Sequence, residues 1–285
     1  MDVWWLKMRK TVLITGASSG IGRATTQKLI DDGYCVYASA RSVAKLEPLA
    51  TDGARILELD VTQDESMQSG VNRIIRECGR LDILINNAGY GSYGALEDVP
   101  IEEARYQFEV NVFGLGRLTQ LVLPQMRKQS FGKIVNITSV GGKIYEPLGS
   151  WYHASKFAVE GLSDCLRLEL RPFGIDVIIV EPGPIKTEWG ATAISKLMQT
   201  SGHTAYGVAA QTGAKLLAIS NDENIASEPA VIANTISKAL MTKHPRARYA
   251  SGTGAVFLVA FRKFASDAAM DWLMRLIIKQ TALQQ

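Results

Sequence analysis

The stretch SWYHASKFAVEG, residues 150–161, places Tyr152 and Lys156 four positions apart in what reads as the opening turns of a helix. Residues at i and i+4 stand one above the other on a helix, so a phenol and an ammonium group can reach into one site from this segment. The pair makes chemical sense. An unperturbed tyrosine titrates near about 10, and a neighbouring cation is what brings a phenol toward a working pH for proton transfer. An ordinary amphipathic helix would show the same spacing for packing alone. His153, one residue on, should point about 100° away and leave the site when Tyr152 enters it. His203 and His244 have no partners at ligand spacing and read as surface or loop residues, and no metal site is visible.

A second chemical cluster lies near the start. TGASSGIG, residues 15–22, follows the strand-like TVLIT and opens a helical pattern. Gly16, Gly20 and Gly22 permit a tight turn and close backbone approach, and a helix amino terminus offers free N–H groups to a pyrophosphate. The spacing is GxxxGxG, which differs from GxGxxG and lacks the Lys-Ser/Thr of a P-loop. A glycine-rich turn of purely structural use is the alternative.

The elements that must position these residues follow from apolar periodicity. From Lys10 onward, strand-like runs (TVLIT, CVYASA, ARILELDV, LDILINN, KIVNITS, IDVIIVEP) alternate with helical patterns, including a long one over about 101–128 and another over about 152–171. This is the βαβ signature of a parallel sheet, and strands rich in Val and Ile on both faces fit a sheet covered by helices on both sides. Residues 188–229 break the rhythm as a loop-rich, partly helical insert. A helix near 231–241, a strand at ARYAS and an apolar tail complete the chain. It reads as one domain: a core over 10–187, an insert over 188–229 and a C-terminal extension over 255–285.

Composition limits the function classes. With 285 residues, 47% hydrophobic and 21% charged, the chain can bury a large core, and its formal charge of +3 is too small and too scattered to track a phosphate backbone. Cys35, Cys78 and Cys165 read as reduced packing residues. No run approaches the roughly 18 apolar residues of a membrane span, and MDVWWLKMRK is too interrupted for a secretory signal, so the expectation is a cytoplasmic protein. The tail carries Arg262, Lys263, Arg275 and Lys279 among apolar residues and reads as a cap on its own domain or a subunit interface, with a membrane surface as the alternative. Trp4 and Trp5 fit either a first-strand extension or an exposed arm.

Four motifs stand in a fixed order: TGxxxGxG at 15–22, NNAG at 86–89, Ser139 thirteen residues before Tyr152, and YxxxK at 152–156. Together they make the chain resemble the short-chain dehydrogenase/reductase family from about residue 10 to 187. VYASAR, NNAGYG and RYASG make the hydroxysteroid and retinol dehydrogenase-like branch the nearest. The resemblance implies an α/β fold, a Rossmann-type doubly wound parallel sheet that binds a nicotinamide cofactor outside the carboxyl ends of its strands. It further implies an oxidoreductase acting on a carbonyl or alcohol, with Tyr152 as general acid or base and Lys156 holding the nicotinamide ribose and lowering the phenol's pKa. Ser139 would polarise the substrate oxygen, and Thr138 fits less well because side chains alternate along a strand. Asn111 would hold a water that relays protons to Lys156, or is a polar residue satisfied within its helix.

The same resemblance assigns cofactor contacts. Gly16, Ser18, Ser19, Gly20 and Ile21 would cradle the phosphates, and Asp60 with Val61 would meet the adenine, although Asp60 also fits a helix cap or strand-end turn. Asn87, Ala88 and Gly89 would lie along the adenosine ribose, Asn86 having a structural role, and Pro182, Gly183, Ile185 and Thr187 beside the nicotinamide. The end of the second strand indicates NADP(H) over NAD(H). Dinucleotide folds that bind ribose hydroxyls carry an acidic residue there, whereas this chain has Ala40 followed by Arg41, a guanidinium suited to a 2′-phosphate, with Ser18 or Ser42 able to add a hydroxyl. Neutral Ala17, Ser18 and Ser19 depart from relatives that add a basic residue inside the glycine motif. Trp189, Ile194, Leu197, Met198 and Tyr206 in the insert could cover a bulky apolar substrate or pack on the sheet edge. A homodimer through the two long helices is the family default. A silent cofactor-binding sensor of the same fold is the alternative function; an epimerase of the extended branch is disfavoured by the glycine spacing and the chain length.

Overall fold

The computed structural model describes residues 9–283, so Trp4 and Trp5 lie outside the described residues. Seven strands form one sheet: β1 (Thr11–Ile14), β2 (Cys35–Ala40), β3 (Arg55–Glu58), β4 (Ile83–Asn86), β5 (Gly132–Ile137), β6 (Ile175–Pro182) and β7 (Arg248–Ser251). Their order is β3-β2-β1-β4-β5-β6-β7, and every pairing is parallel. The direction of progression reverses between β1 and β4, which opens a crevice at their carboxyl ends.

Helices cover both faces. α1 (Gly20–Asp31), α2 (Glu47–Thr51) and α9 (Pro229–Met241) lie on one side, where Leu29, Leu49, Ile232 and Ile236 meet Val12, Val36 and Ile178. α3 (Asp64–Cys78), α5 (Gly114–Gln129) and α6 (Ser150–Leu170) lie on the other, where Ile74, Leu118 and Leu170 meet Leu13, Leu84 and Val177. Apolar residues from successive positions of one strand are therefore buried in opposite layers, which is why these strands lack a polar face.

Four features differ from the sequence reading. The pattern over 101–128 is not one regular helix: α4 (Ile101–Phe108) passes through a π-helical turn, Glu109–Phe113, into α5. An extra residue per turn leaves the 3.6-residue periodicity intact on either side, so the pattern conceals it. The insert is mainly helical, consisting of α7 (Glu188–Ser201), capped by the Thr187 hydroxyl, and α8 (Gly207–Ala218). Cys35 and Cys78 are buried with their sulfurs 4.0 Å apart, but Cys165 is exposed on α6 and is not a packing residue. Finally, His153 is buried rather than turned away, for reasons given below.

The C-terminal extension forms α10 (Ala255–Phe264) and α11 (Asp267–Leu283), which fold back over the domain; α11 packs on α8, and Tyr145 donates to Asp271 Oδ1 at 2.9 Å. Among the described residues no helix is long and apolar enough to cross a membrane.

Candidate active site

A cleft of about 680 Å³ runs along the carboxyl ends of the central strands. Gly16, Ser18, Ser19, Gly20 and Ile21 line one end. Gly16 has φ +65°, and a Cβ there would stand 2.9 Å from Ala88 Cα; one on Gly22 would stand 2.3 Å from the Gly16 carbonyl oxygen. The turn is thus pressed onto the β4 loop, and only glycine fits. Thr15 Oγ1 accepts from the N–H groups of Asn87 (3.1 Å) and Ala88 (3.0 Å), while Asn87 Nδ2 donates to the carbonyls of Thr15 (2.9 Å) and Gly16 (3.1 Å). Asn87 therefore fastens the turn, and Asn86 is structural, donating to Asn136 Oδ1 at 2.9 Å across a register that sets the two asparagines side by side. The result is a narrow glycine cradle at the amino terminus of α1, which suits a pyrophosphate.

Asp60 and Val61 line the adjoining wall. Asp60 Oδ1 accepts from the Thr62 N–H and hydroxyl, so the strand-end turn is present. Arg41 follows Ala40 at the rim, and its Nη1 donates to the Tyr106 hydroxyl at 3.0 Å. No carboxylate forms an ion pair with Arg41 among the described residues. Across the cleft, Pro182, Gly183, Ile185 and Thr187 border the opposite side, where the Ser227 main chain holds the segment in place. Thr187 Oγ1 accepts from Trp189 N, which leaves its own proton to donate.

Ser139, Tyr152 and Lys156 meet at the end of β5. Ser139 lies two residues beyond the strand; its Oγ accepts from Gly141 N at 3.0 Å, so its proton remains available to the cleft. Thr138 points the other way, as alternation requires, and donates to Glu160 Oε1 at 2.7 Å. Lys156 Nζ donates to the Ile137 carbonyl at 3.0 Å and stands 6.0 Å from the centre of the Tyr152 ring. Burial dominates both groups. It pushes the Tyr152 phenol up to about 12 against the opposite pull of the Ser139 hydroxyl, and it depresses the Lys156 ammonium to about 8 against the pull of Glu160. The Glu146 carboxylate adds a smaller upward push on the phenol.

Of the expected catalytic residues, only Asn111 does not line the cleft, and of the insert's apolar residues Trp189 does while Ile194, Leu197, Met198 and Tyr206 do not. It sits behind the wall in the π-helical turn, with Nδ2 donating to Tyr90 O and Ser155 Oγ, both at 3.0 Å, and Oδ1 accepting from Tyr90 N at 3.1 Å. A Cβ on Gly89 would come within 3.0 Å of that Oδ1 and 3.7 Å of Lys156 Nζ, so Asn111 buttresses the lysine's surroundings.

Several wall residues escaped the sequence reading. Tyr93 is buried with its ring 5.5 Å from that of Tyr152, and its hydroxyl donates to Glu146 Oε1 at 2.8 Å. His153 closes the same wall: Nδ1 lies 2.9 Å from the Gly141 carbonyl, and Nε2 accepts from Glu146 N at 3.2 Å. A turn of 100° from Tyr152 does not carry it to solvent, because the loops holding Tyr93 and Glu146 wrap round the start of α6. The only local signal was the aromatic-rich GYGSYG after NNAG. Trp189 from α7 completes the wall, 5.1 Å from Tyr152 by ring centres, within an apolar cluster that includes Leu148, Leu197 and Leu217.

Known proteins resemble this chain in sequence and fold. The family profile described as short chain dehydrogenase matches residues 10–197. A 3-ketodihydrosphingosine reductase from Bacteroides thetaiotaomicron is 39% identical over 270 residues, covering 93% of this chain and 96% of that protein. An NADPH-dependent 3-dehydrocapnine reductase from Ornithobacterium rhinotracheale is 35% identical over 273 residues, covering 90% of each. The crystal structure of a short-chain dehydrogenase from Streptomyces avermitilis superposes with a TM-score of 0.79 at 33% identity, covering 97% of this chain and 99% of that one. With a matching profile over residues 10–197 and relatives alike over nearly their whole length, this chain belongs to the short-chain dehydrogenase/reductase family of oxidoreductases.

Proposed function

We propose that this protein is an NADP(H)-dependent oxidoreductase that interconverts a carbonyl and a primary or secondary alcohol on a bulky, largely apolar substrate. The observation that carries the reading is the convergence of Ser139, Tyr152 and Lys156 in one cleft with the glycine cradle. The cradle residues hold the pyrophosphate, Asp60 and Val61 the adenine, Asn87 to Gly89 the adenosine ribose, and Pro182 to Thr187 the nicotinamide. Arg41, without a carboxylate partner and beside the small Ala40, pairs with the 2′-phosphate. A relative named as NADPH-dependent supports that preference, and two relatives named as reductases support reduction as the direction. When bound, the nicotinamide supplies or accepts the hydride.

The chain's own groups manage the proton. Tyr152 gives its phenolic proton to the substrate oxygen on reduction and takes it back on oxidation. Its raised pKa keeps it protonated and ready to donate at neutral pH. Ser139, with its oxygen engaged by Gly141 N, donates its proton to the same substrate oxygen and stabilises the developing charge. Lys156 holds the ribose and reprotonates the phenol. Both hydrogens of the Asn111 amide are committed, so a water relay to Lys156 runs from its carbonyl oxygens. The apolar wall of Tyr93, Trp189 and Leu217 takes the substrate's bulk.

The test is NADPH consumption with long-chain ketones, followed at the nicotinamide absorbance. Tyr152→Phe should lose nearly all turnover while NADPH still binds in a fluorescence titration; near-normal turnover by this variant would refute the assignment.

A further inference from the structure

One charge in the cleft has no role in that scheme. Glu146 lies in the loop between β5 and α6, and its carboxylate lines the cleft beside Tyr93 and Tyr152. The side chain retains 32% of its exposure. Its hydrogen-bond partner is the neutral phenol of Tyr93, at 2.8 Å from Oε1. His153 Nε2 is 3.9 Å away but is not a counter-cation. That nitrogen faces the N–H of Glu146 itself as an acceptor, so the ring's proton is on Nδ1, which donates to the Gly141 carbonyl. Among the described residues no lysine or arginine forms an ion pair with Glu146.

The other carboxylates of the cleft are provided for differently. Glu103 pairs with Lys196 at 3.2 Å and accepts from Tyr90 at 3.0 Å. Asp60 accepts from Thr62. Glu188 occupies the first turn of α7, where the free amides offset its charge. Glu146 alone sets a negative charge against the wall of the reacting phenol, and it adds to the forces that keep both Tyr152 and Tyr93 protonated. The carboxylate is part-exposed to the cleft, where a cationic group of a bound molecule can reach it.

We propose that Glu146 is the recognition site for a cationic nitrogen of the substrate, which makes the substrate class an apolar chain bearing an ammonium group close to the reacting carbonyl or carbinol carbon. The closeness follows from the chain of contacts: Glu146 binds the Tyr93 hydroxyl, and the Tyr93 ring packs against Tyr152 with centres 5.5 Å apart. The ammonium replaces the missing counter-charge, while the alkyl chain lies along Trp189 and Leu217. The proposal rests on the oxidoreductase reading for its substrate, but the recognition it describes is a binding property.

The experiment compares 2-amino-3-dodecanol with 3-dodecanol. Binding is measured by calorimetric titration of the full chain, and turnover by NADP reduction, in wild type and in Glu146→Gln. The glutamine keeps the side chain's size and an oxygen for Tyr93 while removing the charge. Wild type should bind the amino alcohol about 10- to 100-fold more tightly, the range for a charge-assisted bond in a part-buried site. In Glu146→Gln the two ligands should bind alike. Equal binding by wild type, or a preference that survives in the variant, overturns the proposal even if both alcohols are oxidised. A charge-dependent preference without hydride transfer by wild type would support the ammonium site and overturn the oxidoreductase reading instead.

Discussion

Glu181, one residue before Pro182 on β6, is 1% exposed, and its Oε1 has no hydrogen-bond partner. The nearest cation, Arg248, is committed elsewhere: its guanidinium reaches Asp164 at 2.6 Å and Glu160 at 3.0 Å, and only then Glu181 at 3.6 Å. Lys143 is likewise spent on Glu160, at 2.7 Å. Burial, followed by the charge of Glu160, pushes the Glu181 carboxyl from an ordinary 4.5 up to about 7. Between those two values the folded protein holds a proton that the unfolded chain has released, so stability falls as pH rises through the window, and the full cost is present above about 7. At about 1.4 kcal/mol per pH unit the ceiling on that cost is about 3 kcal/mol, and Arg248 nearby makes a range of about 1–3 kcal/mol the working expectation. Glu181→Gln removes the ionisation. It should therefore gain this amount over wild type at pH 8 but none of it at pH 4.5. Urea unfolding of both proteins at the two pH values measures it, and the difference between the two comparisons separates charge from any repacking. A stability difference that is the same at both pH values would refute the reasoning, as would a variant that compares less favourably at pH 8.

Cofactor choice should follow the end of β2: the ratio of kcat/KM for NADPH over NADH should lie well above one in wild type and invert in an Ala40→Asp, Arg41→Ala double variant, and a wild type that prefers NADH refutes it. We also expect a homodimer built on α4, α5 and α6, because Phe113 (58%) stands exposed on the π-helical turn between α4 and α5, and Phe157 (43%) and Leu168 (63%) on α6; light scattering that finds only monomer would remove this expectation without touching the chemistry.

The sequence by itself determined whatever is local. Runs of Val and Ile between helical periods specified six parallel strands and both helical layers, because a strand buried on two faces has no polar alternative at any position. The glycine turn and the Tyr152–Lys156 pair were equally legible, since backbone freedom and i,i+4 spacing are fixed within one or two turns of chain. ARYAS was readable as a strand, but only the sheet showed it as the edge partner of β6. The π-helical turn at Asn111 was hidden, because an inserted residue preserves the periodicity on either side of it. So was the electrostatic state of the site. Tyr152 and Lys156 are shifted mainly by burial, Glu181 by burial and by Glu160, and the charge of Glu146 is left without a cation because His153 accepts its N–H. Each of these depends on desolvation and on neighbours brought from distant segments, and a charge's surroundings in three dimensions are a property of the tertiary structure that no local pattern records.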